Sequence, residues 1–270
     1  MAKVLVVTSG KGGVGKTTST AAIGAALAQN GKRVAVVDFD VGLRNLDLVL
    51  GAERRVVFDL INVVQGVAKL PQALIRDKRL ENLWLLPASQ TRDKDALTDE
   101  GVGRVIAEMR STFDYIVCDS PAGIERGATL AMRFADEAII VTNPEVSSVR
   151  DSDRIIGMLD SKTVKAEKGE QVPKHILISR FDPSRAARGE MLSIEDILDI
   201  LATPLLGIIP ESKDVLRASN VGSPVTLNSP ASAPARAYMD ATKRLLGETI
   251  PMLVPSEPKG LMKLFGRRAA

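Results

Sequence analysis

An α/β fold with one open, doubly wound and mostly parallel sheet is predicted by three features of the sequence. Short runs rich in valine and isoleucine alternate with longer segments of helical spacing. The runs are apolar throughout rather than at every second position, as strands buried on both faces require. The chain has 270 residues, 45% of them hydrophobic, enough to bury a full core as one large domain or two small ones at about 150 residues each. No internal repeat or low-complexity block interrupts the pattern.

In chain order, strands are expected at 4–8, 33–38, 83–87, 115–119, 138–142, 176–179 and 205–209. Helices are expected at 16–29, 96–109, 125–134, 147–159, 194–201 and 233–246, each set off from the next strand by turn residues. A single folded body over 1–250 follows, with helices on both faces of the sheet. Pro251, Pro255 and Pro258 then break regular structure and make 251–258 a linker to a terminal segment, 259–270. Trp84, inside a strand-like run, is expected in the core.

Composition narrows the function. One cysteine, Cys118, forms no intramolecular disulfide and cannot ligate an iron–sulfur cluster alone, so a reducing compartment and a core-packing role are expected. The N-terminus shows neither a signal peptide nor a membrane span, which points to the cytosol. Lys259, Lys263, Arg267 and Arg268 outweigh the whole chain's net charge of +3. The body is therefore close to neutral, unlike a surface that wraps DNA. The lone His175 has no partner at ligand spacing and reads as the end of a strand rather than a catalyst.

The segment Gly10-Lys11-Gly12-Gly13-Val14-Gly15-Lys16-Thr17 joins the first strand to the first helix and fits G-x-x-x-x-G-K-[ST]. This is a P-loop: its glycines let backbone N–H groups curl around a phosphate at a helix N-terminus. Lys16 would neutralise β- and γ-phosphates and Thr17 would coordinate Mg²⁺. The same residues contain G-x-G-x-x-G, and Asp38 lies near the ribose-binding acid of a dinucleotide fold. That nicotinamide reading gives no reason for Lys16 and Thr17, which phosphoryl chemistry needs.

Three carboxylates are placed to complete such a site. Asp38 and Asp40 end the second strand and fall on one side of it, with Phe39 on the other. Either could face a metal or an attacking water, and Asp38 could instead cap the next turn. Asp119 closes a buried run, as a Walker B acid holding Mg²⁺ through water would, and Gly123 lets the following loop respond to the γ-phosphate.

Lys11 is a second cation inside the loop, and Lys11-Gly12-Gly13-Val14-Gly15-Lys16-Thr17-Thr18 resembles the deviant Walker A loop of the MinD/ParA family. The blocks 38–47, 87–95 and 143–153 extend the resemblance over nearly the whole chain, towards the septum-placing branch of that family. The resemblance implies an ATP-sandwiched homodimer in which Lys11 reaches the partner's phosphates. Asp40 then positions the hydrolytic water, and Asp38 supports the metal shell. Thr18 joins the phosphate loop, Asn45 lies near the dimer interface and Glu145 contacts the partner's nucleotide. Adenine rests near Arg180 and Pro210. The implied partners are the division inhibitor MinC and the hydrolysis stimulator MinE, at the cytoplasmic face of the bacterial inner membrane.

The terminal segment has its own chemistry. In helical projection Leu261, Met262, Leu264 and Phe265 share one side, while Lys259, Lys263 and Arg267 lie opposite. Such a segment suits an interfacial helix on anionic lipid. One copy grips weakly, whereas two copies held in one dimer gain about 10² to 10⁴ in overall affinity. The expectation is an ATPase that couples nucleotide state to membrane occupancy, with a DNA-binding partition ATPase as the rival.

Overall fold

The computed structural model describes residues 2–90 and 96–255. Residues 91–95 of the second resembling block, 256–258 of the linker and the whole segment 259–270 lie outside the described residues. The expected membrane residues Leu261, Met262, Lys263, Leu264, Phe265 and Arg267 fall in that last segment. Among the described residues no helix is long and apolar enough to cross a membrane.

The strands are β1 (Lys3–Thr8), β2 (Val34–Asp38), β3 (Ile75–Arg76), β4 (Leu83–Leu86), β5 (Tyr115–Asp119), β6 (Glu137–Thr142), β7 (Lys174–Phe181) and β8 (Leu205–Pro210). They form one sheet in the order β3-β4-β2-β5-β1-β6-β7-β8. All neighbours are parallel except β3 and β4. The loops that leave the parallel strands therefore collect at one carboxyl edge. The chain winds away from β1 in both directions, which opens a crevice beside it.

The helices follow as α1 (Lys16–Gln29), α2 (Leu46–Val49), α3 (Leu60–Val64), α4 (Leu70–Ala73), α5 (Asp99–Arg110), α6 (Arg126–Arg133) and α7 (Val146–Lys162). Then come α8 (Val164–Glu167), α9 (Pro183–Ala187), α10 (Ile194–Leu201), α11 (Lys213–Asn220), α12 (Val225–Asn228) and α13 (Ala233–Leu245). One core packs α3, α4, α5, α6, α7 and α10 on a face of the sheet. The other packs α1, α2, α11, α12 and α13 on the opposite face. Helix α1 is lined by Ala21, Ala22, Gly24, Ala25, Ala26 and Ala28, and it is buried almost all round between the sheet and α13. A β-carbon on Gly24 would overlap the Val36 side chain, so this closeness needs glycine. The helix that carries Lys16 and Thr17 is thereby held rigidly beneath the loop.

Several elements differ from the sequence reading for identifiable reasons. Helix α5 starts three residues later than expected because Thr98 caps it, accepting from the Gly101 N–H. Strand β7 runs from Lys174 to Phe181 rather than over 176–179, so His175 and Arg180 both lie inside it. His175 still sits at the strand's start, as expected, with its Nε2 2.7 Å from Glu137 Oε1 at the amino edge of the sheet, away from the loops. Trp84 packs against the core as expected but is only half-buried, edge-on to Phe113 with ring centroids 5.3 Å apart. The guanidinium groups of Arg33 and Arg76 lie 5.8 and 5.7 Å from its ring centroid. The short β3 and the helices of four or five residues went unpredicted because so short a run carries no readable period; α11, eight residues long with only Val215, Leu216 and Ala218 apolar, was missed as well.

Ile23, fully buried on α1, supplies a test of this packing. Ile23→Ala should lower the unfolding free energy by about 2–5 kcal/mol in urea titrations, and a loss below about 1 kcal/mol would mean that α1 is not clamped as described.

Candidate active site

The loop after β1 is shaped by its own backbone and by two neighbours. Gly13 and Gly15 have φ of 77° and 95°, a left-handed region that costs an L side chain strain. Ser9 donates to the Lys11 carbonyl at 2.7 Å. From β7, Ser179 Oγ lies 2.7 Å from the Val14 carbonyl oxygen and 2.8 Å from Asn143 Oδ1. Gly10 sits directly on α7, where a β-carbon would overlap the Asp151 carbonyl. The cradle is therefore fixed before any phosphate arrives.

Beneath it, Lys16 is only 8% exposed, and Asp38 and Asp119 are each 1% exposed. Thr20, one turn along α1 from Lys16, donates to Asp119 Oδ1 at 2.9 Å, and Thr17 also bonds to that carboxylate. Burial pushes Asp119 up to about 6 against the help of Thr17, Thr20 and Lys16. Burial and then the Asp119 charge raise Asp38 well above the usual carboxylate range. Burial lowers Lys16, while Asp119 and Asp40 oppose the shift. A single lysine does not balance the carboxylates gathered around it.

Asp38 and Asp40 do not act as an equivalent pair. Asp38 Oδ1 accepts from the Asp40 N–H at 2.8 Å and Oδ2 from the Leu46 N–H at 3.2 Å, so it fastens the start of α2. Asp40 lies beyond the end of β2 and is half-buried, while Phe39 turns into the core as expected. The donors facing the loop are hydroxyl and carboxylate oxygens. Among the described residues no three His, Cys, Asp or Glu side chains form a closed metal cage. That combination fits Mg²⁺, which takes one or two carboxylates and completes its shell with phosphate oxygens and water.

Lys11 points away from this cluster. Its Nζ donates to Glu145 Oε2 at 2.9 Å and to Ser147 Oγ at 3.0 Å, at the N-terminus of α7. Gly123, φ 88°, donates its N–H to the Ser9 carbonyl, which joins the loop after β5 to the loop after β1. Behind the cradle a cavity of about 640 Å³ is lined by Val14, Gly15, Thr18, Arg180, Pro210 and Tyr238, among others. Arg180 is in the left-handed region at φ 53°. The structure thus gathers Gly10 to Thr18 with Asp38, Asp40 and Asp119, pairs Lys11 with Glu145, and sets Arg180 and Pro210 on one cavity. Asn45 stands exposed at the N-cap of α2. Cys118 is buried in the core with its thiol pushed up to about 12, as its packing role implies.

Three residues with a part here were not singled out in the sequence. Thr20 could have been found, since position i+4 from Lys16 shares its helix face. Ser179 ends an apolar strand run, a weak signal. Tyr238 gave none: it reaches Ser19 at 3.0 Å from α13, over 200 residues away.

Ser179→Ala should weaken nucleotide binding about 5- to 30-fold, corresponding to one lost buried hydrogen bond of roughly 1–2 kcal/mol. Unchanged affinity by calorimetry would remove its role in holding Val14. Asp119 binds more protons folded than unfolded between its ordinary 3.8 and about 6. Its contribution to stability is therefore present at low pH and lost as pH rises through that window. Asp119→Asn should raise the Tm of the nucleotide-free protein at about pH 7.5, with the gain vanishing towards about pH 4. A lower Tm at the higher pH would contradict this.

Comparison with known proteins agrees with this geometry. Residues 5–225 match the CobQ/CobB/MinD/ParA nucleotide binding domain family. The chain is 62% identical over 270 residues to the septum site-determining protein MinD of Escherichia coli K12, covering 98% of this chain and 100% of that protein. The MinC:MinD cell division protein complex of Aquifex aeolicus superimposes with a TM-score of 0.82 at 44% identity, over 94% of this chain and 100% of that one. The septum site-determining protein MinD of Pyrococcus horikoshii, complexed with Mg-ADP, gives 0.79 at 32% identity over 91% and 96%. With its deviant Walker A loop set at the carboxyl edge of an eight-stranded sheet, the chain belongs to the MinD family of ATPases.

Proposed function

We propose that this chain is a nucleotide-driven switch for placing the division septum. ATP closes a homodimer, the paired segments 259–270 bind the anionic cytoplasmic face of the inner membrane, and hydrolysis releases them. The observation that carries the reading is the convergence of Lys16, Thr17, Asp40 and Asp119 under a preformed glycine cradle. The body 1–250 acts as the ATPase domain, with 251–258 as the linker to the anchor.

Each residue then has a task. The N–H groups of Gly10 to Thr18 receive the phosphates, and Lys16 neutralises the β- and γ-oxygens. Thr17 and Asp119 are the residues that would hold Mg²⁺, with Asp38 supporting them; the ion supplies charge neutralisation at the phosphate oxygens. Asp40, half-buried beside Lys16, orients the attacking water. Adenine lies in the cavity of Arg180 and Pro210. Lys11 exchanges its contact with Glu145 and Ser147 for the partner's phosphates, which frees Glu145 to meet the partner's nucleotide. Since the Aquifex relative is known as a MinC:MinD complex, MinC is the proposed client of the dimer, and MinE is the proposed stimulator of its hydrolysis.

Sedimentation with phosphatidylglycerol-containing vesicles tests the coupling. The full chain should pellet with ATP and remain largely free with ADP or no nucleotide, and a version ending at Pro258 should stay free throughout. Lys16→Ala or Lys11→Ala should lose the ATP-dependent fraction, a drop of about 10² or more in apparent affinity. Asp40→Ala should slow hydrolysis while its ATP-bound form stays on the vesicles. Binding that ignores the nucleotide would refute the switch.

A further inference from the structure

Helices α2 and α11 come from opposite halves of the chain and pack against each other. Just past their ends, Gly51 and Gly222 touch through their backbones. A β-carbon on Gly51 would stand 2.6 Å from the Gly222 carbonyl oxygen, and one on Gly222 would stand 2.7 Å from the Gly51 Cα. Both have positive φ, 61° and 63°, so the contact is built for glycine on each side. One side chain fastens this joint. Arg79, in the turn between β3 and β4, donates from Nη1 to the Gly222 carbonyl at 2.9 Å and from Nη2 to the Leu50 carbonyl at 2.8 Å.

Asp77 aims the fork. Its Oδ2 accepts from Arg79 Nη2 at 2.8 Å and its Oδ1 from Arg79 Nε at 3.3 Å. The same Oδ1 takes the N–H groups of Arg79 and Leu80 at 2.7 and 3.1 Å. Asp77 is buried, and its own N–H donates to the Leu83 carbonyl of β4 at 2.8 Å, so the guanidinium rests on the sheet rather than on a loose turn. A planar group with donors in several directions is what two carbonyls and a carboxylate require; an ammonium offers a single point.

The two helices joined here serve different ends of the site. Helix α2 begins at Leu46, whose N–H is held by Asp38 Oδ2 at 3.2 Å. It is thus tied to a buried carboxylate at one end and to Arg79 at the other. Helix α11 supplies Lys213, Val215, Leu216 and Ser219 to the wall of the cavity behind the cradle. We infer that Arg79 is a positioning residue for the nucleotide: by holding the Leu50 and Gly222 carbonyls together, it sets the distance between the wall that meets the nucleoside and the segment anchored on Asp38. Both ends of the ligand then bind to one frame, so occupying one end arranges the other in advance. Without the fork each helix must be ordered separately, and affinity falls. The inference rests on the placement of adenine in that cavity, proposed above.

Calorimetry and hydrogen exchange on the full chain with Mg²⁺ and ADP test this role. Arg79→Ala strips the joint, whereas Arg79→Lys keeps the ion pair with Asp77, and with it the fold, but cannot span both carbonyls. Both variants should bind ADP about 5- to 20-fold more weakly than the parent. At saturating ADP the parent should exchange more slowly in both 47–52 and 214–222 than without nucleotide. In Arg79→Lys the slowing should persist in 10–18 and 214–222, while 47–52 lose most of it. An arginine that only stabilised the fold would lower the Tm of the nucleotide-free chain and leave this pattern intact. ADP affinity within about two-fold of the parent, with both segments still slowed in the lysine variant, would overturn the positioning role alone. A parent chain in which ADP slows 10–18 but not 214–222 would refute the placement of adenine, and the inference with it.

Discussion

The structure turns on a shortage of positive charge at the carboxyl edge of the sheet. Asp38 and Asp119 lie side by side at the ends of β2 and β5, in register with each other, and both are shut away from water. Lys16 is the cation placed among them, and burial weakens its charge as it weakens theirs. A fold gains nothing from such an arrangement unless a ligand supplies what is lacking. Mg²⁺ with a polyphosphate would do so: the carboxylates are the groups that would hold the metal, and Lys16 with the loop amides those that would receive the phosphates.

Rigid surroundings make this charge cluster useful for signalling. The loop is held to β7 through Ser179, to α7 through Gly10, and to the loop after β5 through Gly123. Asp38 is held by the start of α2. Any rearrangement that accompanies phosphate or metal must therefore pass into α2, α7 and the loop after β5, because packed interiors transmit displacement rather than absorb it. Those elements lead to Asn45 and Glu145, the groups expected at a dimer interface, and to Ser147, which shares Lys11 with Glu145.

Much of this was legible in the sequence because it depends on local pattern. The parallel sheet followed from unbroken apolar runs, and the glycine loop from spacing that only a phosphate explains. Asp119 announced itself as an acid closing a buried strand. What could not be read depends on contacts distant in sequence. The fastening of Asp38 to Leu46 needed the turn between them, and spacing alone left its capping and metal roles open. The tie between Ser179 and Val14 joins residues 165 apart, and that between Tyr238 and Ser19 spans 219. The partial exposure of Trp84 went unread because an apolar run does not reveal that its strand lies next to the two-residue β3, with Arg33 and Arg76 closing over the ring.

The charge shortage can be measured as protons. Isothermal titration of Mg²⁺ and ADP into the protein near pH 6, in buffers of different ionisation enthalpy, counts the protons released on binding. If the buried carboxylates hold protons until the metal arrives, the parent chain must release more of them than Asp119→Asn under the same conditions. Equal release from the two proteins would contradict the account, since the cluster would then be ionised, and satisfied, before any ligand bound.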